Sequence, residues 1–484
     1  NMLLSSVSSS ITGTNKRKNV AVVNTGNIST DFDSEYSGFT LDSGTGDKSP
    51  WPTESKPAKS ATIFTGGYTD QRFNTKIRRV ADVSDQTGTS ANIMRHEYSR
   101  RQCFNCDSSL MLFQGQAGWW FLYDADTLEI IPSGVTSGAG TDGIVGFAGD
   151  CEPIWHPTDP LKIWYTGQNG AGLTWYERTF SLGGGAGTTT TLFDLTSLLS
   201  ALGSPWNTAN MAWFQGEGRP SDNGRYWGLA IESNPSSPTN IGAILYDRQA
   251  NSILFSVATS GNRPNWTSTT PLGDRVVLSW YGTAQASLAA EAAQAISAAD
   301  GVRAYNSATT FSTLSVLGEH SDLVLGADGT SQYYVHISYH GSADGGADGL
   351  IGHEISTNTI WNFSNHNPYS GGEGGYHISG TATARPGWFA VTRYGSTGVV
   401  GTGAYSGQVV AIECKQTSAR QYRLAHHRAI RGTEYFREAQ ASVNPDFTRV
   451  VYSSDFGTDA WPSEAYVICL PSPAAGGIPH PANT

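Results

Sequence analysis

The sequence predicts an all-β protein, a seven-bladed β-propeller closed by an N-terminal strand. Three observations lead there. Helical periodicity is nearly absent, while short runs of Val, Ile, Leu, Tyr, Trp and Phe alternate with Gly, Asp, Asn and Ser clusters, the pattern of many short antiparallel strands joined by turns. One strand-turn-strand unit recurs seven times along the chain. The last copy ends without an outermost strand, so the ring needs one from elsewhere.

The elements follow in order. Residues 1–60 are rich in Ser, Thr, Gly and Asn and read as an extended arm, with one strand-like run at Asn19–Asn24. Residues 61–484 read as the propeller domain. Its repeat is a strand, a polar turn and a second strand: WWFLYDADTLEII, LTWYERTFSL, AILYDRQANSILF, VRAYNSATTFSTL, GLIGHEISTNTIWNF, QVVAIECKQTSARQYRL and a truncated EAYVICLP. Anchored at the turn, the copies sit at Asp124, Glu177, Asp247, Asn306, Glu354, Glu413 and Cys469, about 58 residues apart on average. That spacing suits a four-stranded blade. A turn followed by a hydrophobic strand precedes most copies, as in NCDSSLMLF, HPTDPLKIWYTG, RPSDNGRYWGLAI and NPDFTRVVYSS, and reads as the link from a blade's innermost strand to the next. The missing outer strand is expected from Ala61–Thr65, with Asn19–Asn24 second. Thr283–Asp300 is Ala-rich and reads as an inserted surface helix. Two stacked β-domains are the competing architecture.

With 484 residues, 38% hydrophobic, 14 Trp and 56 Gly, the chain is folded and loop-rich rather than disordered. Its 30 basic and 41 acidic residues give a net charge of −11, which disfavours a general binder of nucleic acid or anionic membrane. No apolar run reaches the ~18–20 residues of a membrane span. The first ten residues lack a basic region followed by an apolar one, so any export signal is expected to have been removed or never present. Five cysteines are too few to frame the fold; Cys103 and Cys106 read as a disulfide or two thiols more readily than as a zinc site. The run Gly183–Gly187 is followed by threonines rather than Lys and a helix, so it is a loop and not a phosphate cradle.

Chemistry concentrates in the segments upstream of the turns, which a propeller brings to its axis. They span residues 95–104, 149–156, 211–219, 318–325, 375–388 and 424–443, and hold six of the 11 histidines: His96, His156, His320, His377, His426 and His427. Arg95, Arg100, Arg385, Arg428, Arg431 and Arg437, with Tyr98 and Tyr435, accompany them. Any single buried His or Arg there is more often a satisfied hydrogen-bonding group than a catalyst; the collection suits a carboxylate or sulfate ligand. Arg holds a carboxylate bidentately and acidifies the adjacent C–H. His or Tyr then serves as base, and a second such group protonates the leaving oxygen. The reaction this describes is β-elimination at a uronic acid. A hydrolase would need two facing carboxylates, for which Glu97, Glu152, Glu217, Asp322 and Glu438 are available without forming a recognisable pair. Trp119, Trp155, Trp213 and Trp388 are candidates for stacking on sugar.

RHEYSR (95–100), CEPIWHPTDP (151–160), GEHSDLVLGADG (318–329), HISG (377–380) followed by RPGW (385–388), and residues 426–457 resemble segments of the seven-bladed propeller polysaccharide lyases, particularly the rhamnose–glucuronate and ulvan lyase group and more distantly oligogalacturonate lyases. The resemblance spans about residues 90–470. It implies cleavage of a uronate-containing polysaccharide, with His96, Tyr98, Arg100, His377, Arg428 and Tyr435 catalytic and His320, Arg385 and His427 binding substrate; Arg95, Trp155 and Trp213 join the substrate-binding set by residue type. His96 or Tyr98 is expected as base and the Arg100/Arg428 pair as neutraliser. Some relatives carry a metal, and His320, Asp322, His377 and His427 are the residues that would surround a divalent ion near the axis. The expected partner is an anionic polysaccharide met by a secreted or periplasmic monomer, with no nucleic acid and no membrane. A non-catalytic carbohydrate-binding propeller and a glycoside hydrolase are the alternatives.

Overall fold

The computed structural model describes residues 55–86, 92–131, 149–182, 187–233, 237, 239–259, 263–280, 301–315, 320–338, 349–363, 376–393, 406–430, 435–458 and 460–470. Among them the fold is all-β, helix being confined to Thr196–Ala201 and short 3-10 turns. No helix of the described residues is long and apolar enough to cross a membrane.

Five sheets are four-stranded antiparallel meanders in chain order. The N-terminal strands are β1 (Tyr68–Thr69), β2 (Lys76–Arg79), β3 (Ile93–Arg95), β4 (Leu110–Gly115) and β5 (Trp120–Asp124). The next sheet holds β6 (Ile154–Trp155), β7 (Lys162–Tyr165), β8 (Thr174–Thr179) and β9 (Thr188–Asp194). Then come β10 (Met211–Trp213), β11 (Tyr226–Ser233), β12 (Thr239–Asp247) and β13 (Ser252–Ala258), followed by β14 (Trp266–Thr269), β15 (Val276–Trp280), β16 (Gly301–Tyr305) and β17 (Phe311–Ser315). The last two meanders are β18 (Ser321–Leu325), β19 (Gln332–Ser338), β20 (Gly349–Glu354) and β21 (Thr359–Asn362), and β22 (Tyr376–Ser379), β23 (Trp388–Arg393), β24 (Gln408–Glu413) and β25 (Gln421–His426). The C-terminal strands are β26 (Ser442–Val443), β27 (Arg449–Ser454) and β28 (Ser463–Cys469).

An eight-stranded sheet contains the first and the last of the described strands. β3–β5 form one part and β26–β28 with β2 and β1 the other, joined by a short parallel pairing of Ser463 with Ile93 and Glu464 with Met94. The repeat anchors read from the sequence fall on or just after the third long strand of each group: Asp124 ends β5, Asp247 ends β12, Glu354 ends β20, Glu413 ends β24 and Cys469 ends β28.

An N-terminal strand does complete the last group, but not the expected one. Lys76–Arg79 pairs antiparallel with β28, from Lys76↔Cys469 to Arg79↔Tyr466, whereas Ala61–Thr65 forms a tight turn bridged between Thr62 and Thr65. Charge hid the strand. Of its four residues only Ile77 is apolar, and it is fully buried. Arg78 is spent on the carbonyls of Ile63 and Phe64, and Arg79 meets the buried Glu464 at 2.6 Å. Asn19–Asn24, the arm up to residue 54, and Thr283–Asp300 lie outside the described residues.

Hydrophobic clusters join each group to the next. Leu112 and Trp120 pack with Trp155 and Ile163; Trp164 and Trp175 with Trp227 and Leu229; Ala243 and Val257 with Val276 and Leu278; Val277 and Ala304 with Leu323 and Tyr334. The series continues through Val335 and Leu350 against Phe389 and Val391, and Ala390 and Val409 against Val450 and Tyr466. It ends with Val451 and Val467 against Met111 and Phe113, which returns to the start. Truncating one of these buried tryptophans would cost about 3–5 kcal/mol, against about 0–1 kcal/mol for an exposed ion pair, so apolar adhesion holds neighbouring sheets together. None of the five cysteines is in a disulfide; Cys103 Sγ instead donates to the Leu112 carbonyl.

Candidate active site

The segment 95–102, between β3 and the bridge of Phe104 to Met111, reaches every other group of strands. Arg101 contacts Glu152 at 3.3 Å and donates to the carbonyls of Gly216 and Gly218. The Arg100 guanidinium lies 4.3 Å from the Trp266 ring centroid and donates to Ser321 Oγ at 3.0 Å. Tyr98 is edge-on to His377 at 5.2 Å, and Arg95 donates to Gln440 Oε1 at 2.8 Å. A single stretch touching all the groups lies where they converge. It crosses that centre rather than merely lining it.

Two local devices aim the partners. A Cβ on Gly218 would fall 1.6 Å from the Thr267 carbonyl oxygen, so the chain presses between Glu217 and Arg219 as only glycine allows. Glu152, Gln215 and Gln440 hold left-handed backbone at φ 52, 60 and 44. Such conformations in non-glycine residues are uncommon and cluster at functional sites.

The imidazoles form the heart of the cluster. His377 Nε2 lies 2.6 Å from Glu438 Oε2, both buried, and the half-buried His320 stacks on the His377 ring at 4.3 Å. The phenols of Tyr98 and Tyr435 are hydrogen-bonded to each other. Burial pushes the Tyr98 phenol well up, with Glu217 adding to the effect and Arg100 opposing it. Burial disfavours the charge on Arg100, but Glu217 at 3.1 Å and Tyr98 outweigh it and raise its pKa. Arg219 holds Asp322 through Nη1 at 3.1 and 3.2 Å, and Asp322 also accepts from the Gly380 amide.

Around Arg101 gather Glu97, Asp150 and Glu152. Burial pushes Glu97 up to about 8 and Glu152 to about 7, Arg101 opposing in each case; Asp150 is also raised by burial. These are desolvated carboxyls sharing too little positive charge. Their partial protonation near neutrality lowers the negative charge a bound anion would meet.

Several sequence expectations are corrected here. His96 lies at the centre, but it is fully buried and its Nε2 is bonded to the Gln440 carbonyl; burial holds its pKa down to about 3. Arg428 does not join Arg100. Its guanidinium lies over Tyr68 and Phe456, 5.4 and 5.1 Å from their centroids, beside the outer strands of the last group. His427 is taken up by backbone, Nε2 donating to the Arg393 carbonyl and Nδ1 accepting from the Ala429 amide, a neutral structural imidazole with its pKa down to about 4 by burial. The proposed metal set is therefore not assembled: both ring nitrogens of His427 are bonded to backbone and Asp322 is engaged by Arg219. Among the described residues no group of three or more His, Cys, Asp or Glu is arranged to hold a metal ion.

Trp155 and Trp213 are buried, with indole N–H groups donating to the Cys103 carbonyl and to Glu232; they cement sheets rather than present faces to sugar. Trp388 is buried as well. His156 caps its turn by accepting from the Thr158 and Asp159 amides, and His426 is clamped to Asp70 at 3.1 Å. Arg385 is buried between β22 and β23. Arg437 faces Asp455 at 3.6 Å, and Arg431 lies outside the described residues. The sequence reading passed over Arg101, Asp150, Arg219 and Gln440. All four lie inside the polar segments marked above, and only three-dimensional partners, Glu152 for Arg101, Asp322 for Arg219 and Arg95 for Gln440, single them out.

No protein-family model matches the chain, and no curated protein sequence does. Solved structures do. An oligogalacturonate lyase in complex with manganese matches with a TM-score of 0.50 at 12% identity, over 87% of this chain and 99% of that one. The oligogalacturonate lyase of Vibrio parahaemolyticus matches with a TM-score of 0.50 at 14% identity, over 85% of this chain and 98% of that one. At this identity the likeness is one of fold.

Proposed function

We propose that the chain is a seven-bladed β-propeller lyase that cleaves a uronic-acid-containing polysaccharide by β-elimination outside the cytoplasm. The cyclic succession of hydrophobic clusters and the likeness to oligogalacturonate lyases support the propeller. The reaction rests on one observation: Arg100, Tyr98 and the His320–His377 pair meet in a single group built from separate sheets.

In this reading Arg100 meets the uronate carboxylate and stabilises the charge that grows there as the adjacent C–H is broken. His320, the half-buried imidazole, takes that proton. The buried His377–Glu438 pair stacked beneath it fixes its plane. Tyr98, whose phenol burial keeps protonated, gives its proton to the leaving glycosidic oxygen, and Tyr435 connects it to solvent. One C–H and one C–O bond break, a C=C bond forms, and the proton count balances between base and acid. His96, preferred from sequence as one possible base, serves instead to position Gln440.

A manganese ion is named for one similar structure. Here Asp322 is held by Arg219 and, among the described residues, no group of three or more His, Cys, Asp or Glu is arranged to hold such an ion; the elimination above uses side chains alone. A hydrolase remains the second reading because Glu97 and Glu152 hold raised pKa values, as a proton-donating carboxyl requires. Incubating the protein with a panel of uronate polysaccharides separates the readings. Elimination creates an unsaturated uronate and a rise in short-ultraviolet absorbance; reducing ends released without that rise would overturn the lyase assignment.

A further inference from the structure

Most large aromatic side chains of the described residues are buried or half-buried, yet two neighbours beside the catalytic cluster are not. Tyr435 is 40% exposed and Phe436 47%. Leaving about half of a Phe side chain in water forgoes roughly half of the burial energy of the whole ring, so its position calls for a reason. Phe436 is held rather than dangling: the fully buried Arg95 guanidinium lies 5.0 Å from its ring centroid, and Arg95 is itself fixed by the His96 and Glu97 carbonyls and Gln440. Tyr435 stands edge-on to Phe436 at 5.7 Å and to His377 at 6.2 Å, and its hydroxyl reaches Tyr98.

We infer that Phe436, braced by Tyr435, is a sugar-stacking platform that takes the pyranose next to the uronate being cleaved. The proposal rests on the lyase reading for the identity of its ligand. The C–H face of a pyranose matches an exposed aromatic ring, and burying it recovers the area Phe436 leaves in water. Position decides the occupant. The ring pair adjoins Tyr98 and His377, so a sugar on it is continuous with one whose carboxylate meets Arg100. Charge argues the same way: with Arg95 behind the ring and Arg100 nearby, an acidic oligosaccharide is favoured over a neutral one.

The test is calorimetric titration with a galacturonate trimer, a rhamnose–glucuronate oligosaccharide and a neutral glucan trimer, using the unaltered protein, Phe436→Ala and Phe436→Tyr. Thermal transitions of the variants confirm that they fold. At least one acidic probe should bind the unaltered protein, Phe436→Ala should weaken it about tenfold, and Phe436→Tyr should retain it. Equal affinity in Phe436→Ala, or no binding of either acidic probe to the unaltered protein, would overturn the platform. Loss of binding in Phe436→Ala from a protein that never raises ultraviolet absorbance would uphold the platform and overturn the lyase reading instead.

Discussion

His377 and Glu438 form a buried imidazole–carboxylate pair, 2.6 Å apart, brought together from β22 and from the segment before β26. Such a pair fixes the ring orientation and selects the tautomer of the histidine that stacks on His320. Glu438→Gln keeps the shape and removes the charge. Turnover is expected to fall roughly 10- to 100-fold, the usual cost of losing a partner that orients a functional histidine, with KM little changed. Equal falls in kcat and thermal stability, with KM rising, would mark a merely structural pair.

Arg100 and Arg428 should separate cleanly. Arg100→Ala removes the cation assigned to the uronate and should lower kcat/KM by at least about 100-fold, while Arg428→Ala should leave turnover intact and cost roughly 1–2 kcal/mol through its lost contacts with Tyr68 and Phe456. Denaturant unfolding alongside initial rates measures both. A turnover loss in Arg428→Ala as large as in Arg100→Ala would contradict the separation seen here.

The pairing of Lys76–Arg79 with β28 gives a stability prediction. Glu464 is fully buried against Arg79, with Lys56 at 2.7 Å. Arg79→Ala should cost about 3 kcal/mol, the lower end for breaking a buried pair since Lys56 remains. Ile77→Asp should do worse, because it buries a new charge beside β28. Urea midpoints for both variants near that of the unaltered protein would show that the strand is dispensable.

The pH dependence of stability has opposite signs on its two sides. Burial raises Glu97 to about 8 and Glu152 to about 7 in the folded chain. Above pH 5 the folded state therefore holds protons that the unfolded state has lost, and stability declines as pH rises until about 8. His96 and His427 are lowered to about 3 and 4; the unfolded chain takes protons that these do not, so stability is lost as pH falls from about 6.5 toward 4. Between pH 7 and 8.5 the imidazoles are mostly neutral in both states, and the carboxyls act together with the five cysteine thiols, all raised by burial and pulling in the same direction. The melting temperature should fall across that interval, and less steeply in Glu97→Gln. An identical slope in Glu97→Gln would mean that Glu97 is ionised throughout.

How much of this was legible in the residues differs between fold and site. The repeat with anchors at Asp124, Asp247, Glu354, Glu413 and Cys469 could be read because alternation of apolar and polar residues and turn chemistry are local properties. The polar segments around His96, His320, His377 and Tyr435 stood out for the same reason. The closing strand could not be read. Ile77 among Lys76, Arg78 and Arg79 carries no apolar alternation until Glu464, nearly 400 residues away, supplies the countercharge.

Sequence by itself determined the class of structure and the inventory of acids, bases and cations, since both are written in short-range pattern and residue type. Only the tertiary structure decided which of them act together. It put Arg100 with Tyr98 and sent Arg428 to the outer strands, paired His377 with Glu438 but His427 with a backbone carbonyl, and buried Trp155 and Trp213 while leaving Phe436 in water. Those outcomes depend on long-range contacts and on desolvation, which belong to the folded chain and have no counterpart in any local stretch of it.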